Sequence, residues 1–205
     1  YVGWGAGFMD YDNDGWPDLF YVTGHVYPGT EKQKVANFKS PRIVLRNQGN
    51  GKFQEVSAQL GSGVSQRFSS RGSAYGDYDN DGDVDVLVLN MNDPPSLLRN
   101  DGGNKNKWTK LKLIGTECNR TAIGTRVRVV TGSHVQIGEV SSGGSVMSQN
   151  DLRLHFGLGD KDLVDLIEVR WPTTQKVEKF TRVGANQIIT IKEGSGIVKM
   201  EKARP

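Results

Sequence analysis

Two nine-residue stretches of the form DxDxDGxxD, at residues 10–18 and 77–85, constrain this chain more than anything else in it. Both begin DYDNDG, and they lie 67 residues apart. The likeness extends beyond the loops. A glycine-rich approach with an aromatic precedes each, GAGF at residues 5–8 and GSAYG at 72–76, and an apolar run follows each, LFYV at 19–22 and VLVL at 86–89. Farther on, LRNQGNG at 45–51 is answered by LRNDGG at 98–103. A spacing held this way marks a repeated supersecondary unit that cannot bury its own faces and must stack on neighbours.

The apolar runs are rich in β-branched, aromatic and aliphatic residues and show no helical period, so each loop is expected to feed a strand. Strand, acidic loop, strand, connection, strand and turn describe one blade of a β-propeller. Residues 1–104 are therefore expected to form two such units. Propellers typically close with about four to eight blades, so two units imply the end of a longer propeller or a protomer that completes its ring with other chains. From residue 105 the acidic loops stop. Period-2 alternation takes over at 110–113, 126–129, 152–156, 167–171, 176–180 and 188–191, with turn signals at Gly143, Gly144, Pro172 and Thr173. This predicts an antiparallel β-sandwich over 105–194, with a short helical turn at 163–165 and a frayed tail at 195–205.

Asp at positions 1, 3, 5 and 9 of a tight loop directs oxygen ligands inward, and the carbonyl at position 7 can join them. The expected ligands are Asp10, Asp12, Asp14 and Asp18 with the Trp16 carbonyl, and Asp77, Asp79, Asp81 and Asp85 with the Asp83 carbonyl. Gly15 and Gly82, at position 6, permit the positive φ of a sharp turn. An all-oxygen set favours a hard cation with irregular coordination, so Ca2+ at about two per chain is expected. An EF-hand is excluded, because position 12 is Tyr21 or Val88 rather than a bidentate Glu leading into a helix. A solvated Asx turn is the plain alternative for one loop; two full matches in register argue for metal. Without it the clustered carboxylates would repel, so calcium is expected to stabilise the fold.

Charge supports the same division. Residues 1–104 hold 9 Lys/Arg against 13 Asp/Glu, nine of those acids lying in the two loops, and residues 105–205 hold 17 against 10. The basic residues of the second half alternate with apolar ones, as at 126–129, which suits strand faces better than a nucleic-acid patch, and no nucleic-acid partner is expected. No apolar run approaches the roughly 20 residues a membrane helix needs, so membrane insertion is not expected. Cys118 is the single cysteine, which excludes an internal disulfide and thiol-rich metal clusters. His25, His134 and His155 are not at metal-ligand spacing, and Ser141, Ser142 and Ser145 carry no G-x-S-x-G elbow. Trp4, Trp16, Trp108 and Trp171 are expected to pack, although Trp16 beside a metal loop could stack on a sugar. No catalytic residue is assigned.

The loops and their flanking strands resemble FG-GAP or VCBS repeats, the blades known from integrin alpha subunits. The segments WTKLKLIG at 108–115, NRTAIGTRV at 119–127, LRLHFGLG at 152–159 and VRWP at 169–172 resemble the ASPIC/UnbV domain. The tandem is similar to the cartilage acidic protein family and its bacterial relatives. That resemblance implies an all-β fold, a partial β-propeller followed by an antiparallel β-sandwich-like domain, in an extracellular, cell-surface or periplasmic setting without catalytic activity. Expected partners are a protein or a glycan, or further copies in a homo-oligomer or polymer. The alternatives are a metal-assisted polysaccharide lyase or hydrolase and a subunit of a self-assembling extracellular polymer.

Overall fold

In the computed structural model, which describes residues 1–30, 37–102 and 105–203, each acidic loop joins two antiparallel strands. The first unit is a four-stranded sheet in chain order, β1 (Gly3–Met9), β2 (Asp18–Thr23), β3 (Ile43–Asn47) and β4 (Phe53–Glu55). The second is three-stranded, β5 (Ser70–Gly76), β6 (Asp85–Asn90) and β7 (Ser96–Leu98). The expected end of the repeat region at residue 104 lies outside the described residues.

The sequence repeat is also a repeat of register. Phe8 pairs with Leu19 across β1 and β2, and Tyr75 pairs with Val86 across β5 and β6. Strand alternation gives each unit two faces. Phe20, Val22 and Val44 of the first unit and Tyr75, Val86 and Val88 of the second are all buried in one cluster. The Tyr75 ring meets Phe20 edge-on at 6.0 Å, and its hydroxyl donates to the Phe20 carbonyl at 3.2 Å. Burying side chains of this size stabilises by about 1.5–3 kcal/mol each. The two units therefore hold each other through unlike faces of one sheet type. Arg42, fully buried, adds a polar tie by donating to the Gly63 carbonyl at 2.5 Å and to Ser96 Oγ at 2.7 Å.

The second half forms two four-stranded sheets. One, in spatial order β10-β9-β14-β15, uses β9 (Arg126–Thr131), β10 (His134–Glu139), β14 (Leu163–Arg170) and β15 (Val177–Gly184). The other, β13-β8-β16-β17, uses β8 (Lys107–Ile114), β13 (Leu154–Gly159), β16 (Gln187–Lys192) and β17 (Gly196–Lys202). A short hairpin, β11 (Gly144–Ser145) and β12 (Ser148–Gln149), stands apart from both. Inward residues of both sheets, including Leu111, Val129, Phe156, Ile167, Ile189 and Trp171, share one core. That is the expected sandwich, with one parallel pair, β8 on β16.

Two local expectations are corrected. Residues 196–202 are not a frayed tail but β17, which pairs with β16 from Gln187↔Lys202 to Lys192↔Gly196. Residues 163–165 open β14 instead of making a helical turn, because pairing with β9 and β15 places Val164 and Ile167 in the core. The short helical pieces, Ser57–Gln59 and Ser62–Ser65, lie in the connection between the repeat units.

Candidate metal centre

Each loop is closed by its first and last aspartates through backbone amides. In the first, Asp10 Oδ1 accepts from the Asp14 amide at 3.0 Å and Oδ2 from the Gly15 amide at 2.8 Å. Asp18 accepts from the Tyr11 amide at 3.2 Å and the Asn47 amide at 2.7 Å. The second loop follows the scheme with one shift, its first aspartate taking the amide three residues on in place of four. Asp77 accepts from Asn80 at 2.7 Å and Gly82 at 3.1 Å, and Asp85 from Tyr78 at 3.1 Å and Asn100 at 2.9 Å. Gly15 and Gly82 have φ of 91° and 105°, as the sharp turn requires.

Asp10, Asp12 and Asp18 each bring one carboxylate oxygen to within 4.8 Å of the others, as do Asp77, Asp79 and Asp85, so either trio can hold a metal ion. Asp14 and Asp81 stand outside these trios. Each accepts from the amide two residues on, Trp16 at 2.9 Å and Asp83 at 2.8 Å, as an Asx turn does. Nothing in the hydrogen bonding assigns the Trp16 and Asp83 carbonyls to either trio.

The donor sets fit a hard cation. Asp12 Oδ1 is buried with no hydrogen-bond partner, an arrangement that costs free energy unless something positive meets it. Burial, and then the neighbouring acids Asp14, Asp18 and Asp12 against the opposing pull of the Gly15 amide, push the Asp10 carboxyl up to about 8. Burial likewise lifts Asp18 to about 7 and Asp85 to about 6. Groups raised in this way are ones that a bound cation would return to the ionised state.

The loops differ in the positive charge already beside them. In the first, Arg46 from β3 reaches Asp12 at 2.7 Å and Asp14 at 3.2 Å from a half-exposed position. In the second, Lys110 from β8 is buried and donates to Asp77 Oδ2, itself buried. The position facing Asp10 Oδ2 is taken instead by the backbone of Gly157, where no side chain would fit.

The sandwich reaches the loops through several more residues that the sequence reading did not single out as site residues. His155 Nε2 lies 2.6 Å from Asn13 Oδ1, the Gly159 amide donates to the Asn13 carbonyl at 2.9 Å, and Asn106 donates to the Asp12 carbonyl at 2.8 Å. His134 Nε2 lies 2.9 Å from the Gly15 carbonyl, and its ring sits 4.5 Å from that of Trp16. Arg153 donates to Asn80 Oδ1 at 2.5 Å and to the Asp77 carbonyl at 2.9 Å. Asn13 also bridges to the second loop, donating to the Gly82 carbonyl at 3.2 Å and to Asp83 Oδ1 at 3.1 Å. Desolvation, with Lys110 and Arg153 nearby, pushes His155 down to about 3, so it sits there neutral. Only the shared pattern of the two loops could have signalled this junction; its partners come from separate strands.

The remaining reactive residues are accounted for by packing. Cys118 is buried, its amide donates to Glu193 Oε2 at 2.9 Å, and desolvation followed by Glu193 pushes the thiol up to about 11. Trp108 and Trp171 are in the interior, and the Trp4 ring lies under Arg71 at 4.5 Å. The Asn119 amide is engaged with Ile123 at 2.8 and 2.9 Å.

The model of the FG-GAP-like repeat matches residues 10–88, and that of ASPIC and UnbV matches residues 115–198. The chain is thus similar to an FG-GAP-like repeat over its first part and to an ASPIC and UnbV domain over its second. The FG-GAP match begins on Asp10, the first residue of the first loop, and ends on Val88 in β6. The ASPIC and UnbV match runs into β17, in line with residues 196–202 being part of the domain. Cartilage acidic protein 1 of Homo sapiens is 25% identical over 189 residues, 89% of this chain and 27% of that protein. The Mus musculus protein of the same name is 25% identical over 83% of this chain, and the Xenopus tropicalis one 28% over 80%. This is the family the tandem resembles. The chain spans about a quarter of the length of these relatives, 24–27%.

Proposed function

We propose that the chain is a calcium-stabilised, non-catalytic extracellular module whose two metal loops fasten the FG-GAP units to the ASPIC and UnbV domain, presenting a β surface for binding or assembly. The observation that carries this reading is the position of the loops. They face inward, against His134, His155, Lys110 and Arg153 of the sandwich. A cation there would supply charge that lets buried carboxylates ionise. Asp10, Asp12, Asp14 and Asp18 with the Trp16 carbonyl would hold one, and Asp77, Asp79, Asp81 and Asp85 with the Asp83 carbonyl the other. Calcium suits this work because it takes many oxygens in irregular geometry.

The non-catalytic reading rests on the engagement of the first and last aspartates of each loop and of His155 Nε2. Asp10, Asp18, Asp77 and Asp85 each accept two backbone amides, and His155 is held neutral against Asn13. A metal-assisted lyase or hydrolase needs an open coordination position and a free acid or base within reach. The extracellular setting is supported by the likeness to cartilage acidic protein 1, and no helix among the described residues is long and apolar enough to cross a membrane. The partner is read as a protein, a glycan or another copy.

Titration calorimetry combined with melting in calcium and in chelator tests the metal, with about two ions per chain and a lower melting temperature in chelator as the expected result. A screen of acidic polysaccharides with metal present tests the absence of catalysis. Cleavage of any of them would overturn that part of the reading.

A further inference from the structure

We propose that the outer face of the β10-β9-β14-β15 sheet is a docking groove for an extended polypeptide segment that carries carboxylates at one end and aliphatic side chains at the other. The inference rests on the binding part of the proposed function and names the surface and the chemistry of its partner.

This sheet is the one turned away from the repeat units. His155, Lys110 and the Gly157 backbone, which meet the acidic loops, belong to the other sheet, and the sandwich core lies between the two. His134 reaches a loop only from the edge strand β10. Val127, Val129, Ile167 and Val169 fill the core, so by alternation Arg126, Arg128 and Val130 of β9 and Arg170, Glu168 and Leu166 of β14 stand on the outer face.

Cross-strand pairing sets these residues in rows. In the first, Arg126 lies directly across from Arg170, with Glu139 beyond one and Val177 beyond the other. In the second, Arg128 and Glu168 are flanked by Ile137 and Lys179, and in the third Val130 and Leu166 are flanked by Val135 and Thr181. The first two rows line a groove of about 450 Å³. Glu139 pairs with Arg126 at 2.7 Å, and Glu168 is shared between Arg128 at 2.7 Å and Lys179 at 2.9 Å. Four cations thus meet two carboxylates, and among the described residues Arg170 has no ion pair. Like charges directly opposite on a sheet are destabilising. A carboxylate lying over Arg126 and Arg170 would relieve that repulsion, and the planar guanidinium fork suits it. Toward the third row the face turns aliphatic, with Ile137 74% and Val135 43% exposed.

An extended segment repeats its side chains on one face every two residues, about 6.7 Å, which is also the spacing of the rows. Acids at its first facing positions would meet the arginine rows, and aliphatic residues farther on would meet Val130, Leu166 and Ile137. A charged polysaccharide fits less well. The aromatic rings of this part of the chain, Phe180 and Trp171, pack on or in the core instead of offering a sugar a stacking surface, and Glu139 and Glu168 would repel a polymer charged along its whole length.

The test is titration of the full chain in calcium with a short synthetic peptide that alternates Glu with Thr in its first half and Val with Thr in its second, followed by amide NMR shifts and calorimetry. Shifts should fall on β9, β10 and β14. Arg170→Glu should weaken binding roughly tenfold or more and Ile137→Ser by less, and Arg170→Glu should regain binding when Lys replaces Glu in the peptide. Both side chains are exposed, so the fold should persist, and melting in calcium checks that it does. Lys52→Glu, in the repeat units, makes the same change of charge and should bind as wild type does. No shift in the groove at any peptide concentration overturns the proposal, as does binding undiminished in Arg170→Glu. A sulfated oligosaccharide that moves the same resonances at lower concentration than the peptide overturns it too. Calorimetry separates the two readings: calcium bound and peptide not bound removes this inference alone, whereas peptide bound without any calcium binding removes the calcium reading and leaves the groove standing.

Discussion

The first and second acidic loops share a backbone and differ in their surroundings. Both are closed at the last aspartate by the same amides, Asp18 accepting from Tyr11 and Asn47 as Asp85 does from Tyr78 and Asn100, while at the first Asp10 takes the Asp14 amide and Asp77 that of Asn80. Yet the first aspartate meets an uncharged backbone at Gly157 in one loop and the buried ammonium of Lys110 in the other. A repeat fixes where ligands stand. What packs on the repeat decides how much positive charge meets the first aspartate of each loop, and on the proposed reading the first loop, whose Arg46 pair is half exposed, should depend more on a metal than the second.

Removing the internal cation should break this contrast with the largest effect. In chelator, Lys110→Met leaves the buried Asp77 without its counter-charge and should destabilise by about 3–5 kcal/mol. Denaturant unfolding measures it, and calcium should restore most of the loss by supplying the missing charge to the second loop. Next comes Asp18→Ala, which removes two amide contacts to a carboxylate and one ligand. A loss of about 3 kcal/mol or more should appear in calcium as a fall of roughly 6–12 °C in melting temperature, with the second loop still binding.

A pH series sharpens the comparison further. Asp10, Asp18 and Asp85 are raised above the ordinary carboxylate value of 3.8, to about 8, 7 and 6, by burial first. Between about pH 4 and 8 the metal-free folded chain therefore binds more protons than the unfolded one, and its stability rises as pH falls. The contribution is complete below the unfolded value and is lost as pH rises through the folded values. Calcium-loaded chain should run the opposite way, since protons displace the metal. Melting curves from pH 8 to pH 5, with calcium and with chelator, should converge. The smallest effect is expected for Arg46→Met, whose pair is half exposed; about 0–1 kcal/mol is typical of such contacts, so equality with Lys110→Met would erase the contrast.

Much of this was legible in the sequence because the repeat doubled every local signal. The loops, the strands that flank them, the glycine turns and the division into repeat units and sandwich could all be read from residue order. The errors came where tertiary pairing overrode local pattern. Residues 196–202 carry little strand signal of their own and become a strand because β16 offers an edge. Lys110 reads as the outward residue of an alternating strand, LKL at 111–113 following it, and nothing local says that it turns toward Asp77. His155 was legible as a strand residue, but not its contact with Asn13, 142 positions away.

The central claim, that both loops hold calcium at the joint between the repeat units and the sandwich, is tested most directly by titrating the full chain with calcium in a calorimeter while following its melting temperature. Binding near two ions per chain, tighter at the first loop than at the second, with a melting temperature that rises on loading, is the expected result. No heat of binding and a melt unchanged by chelator would contradict it.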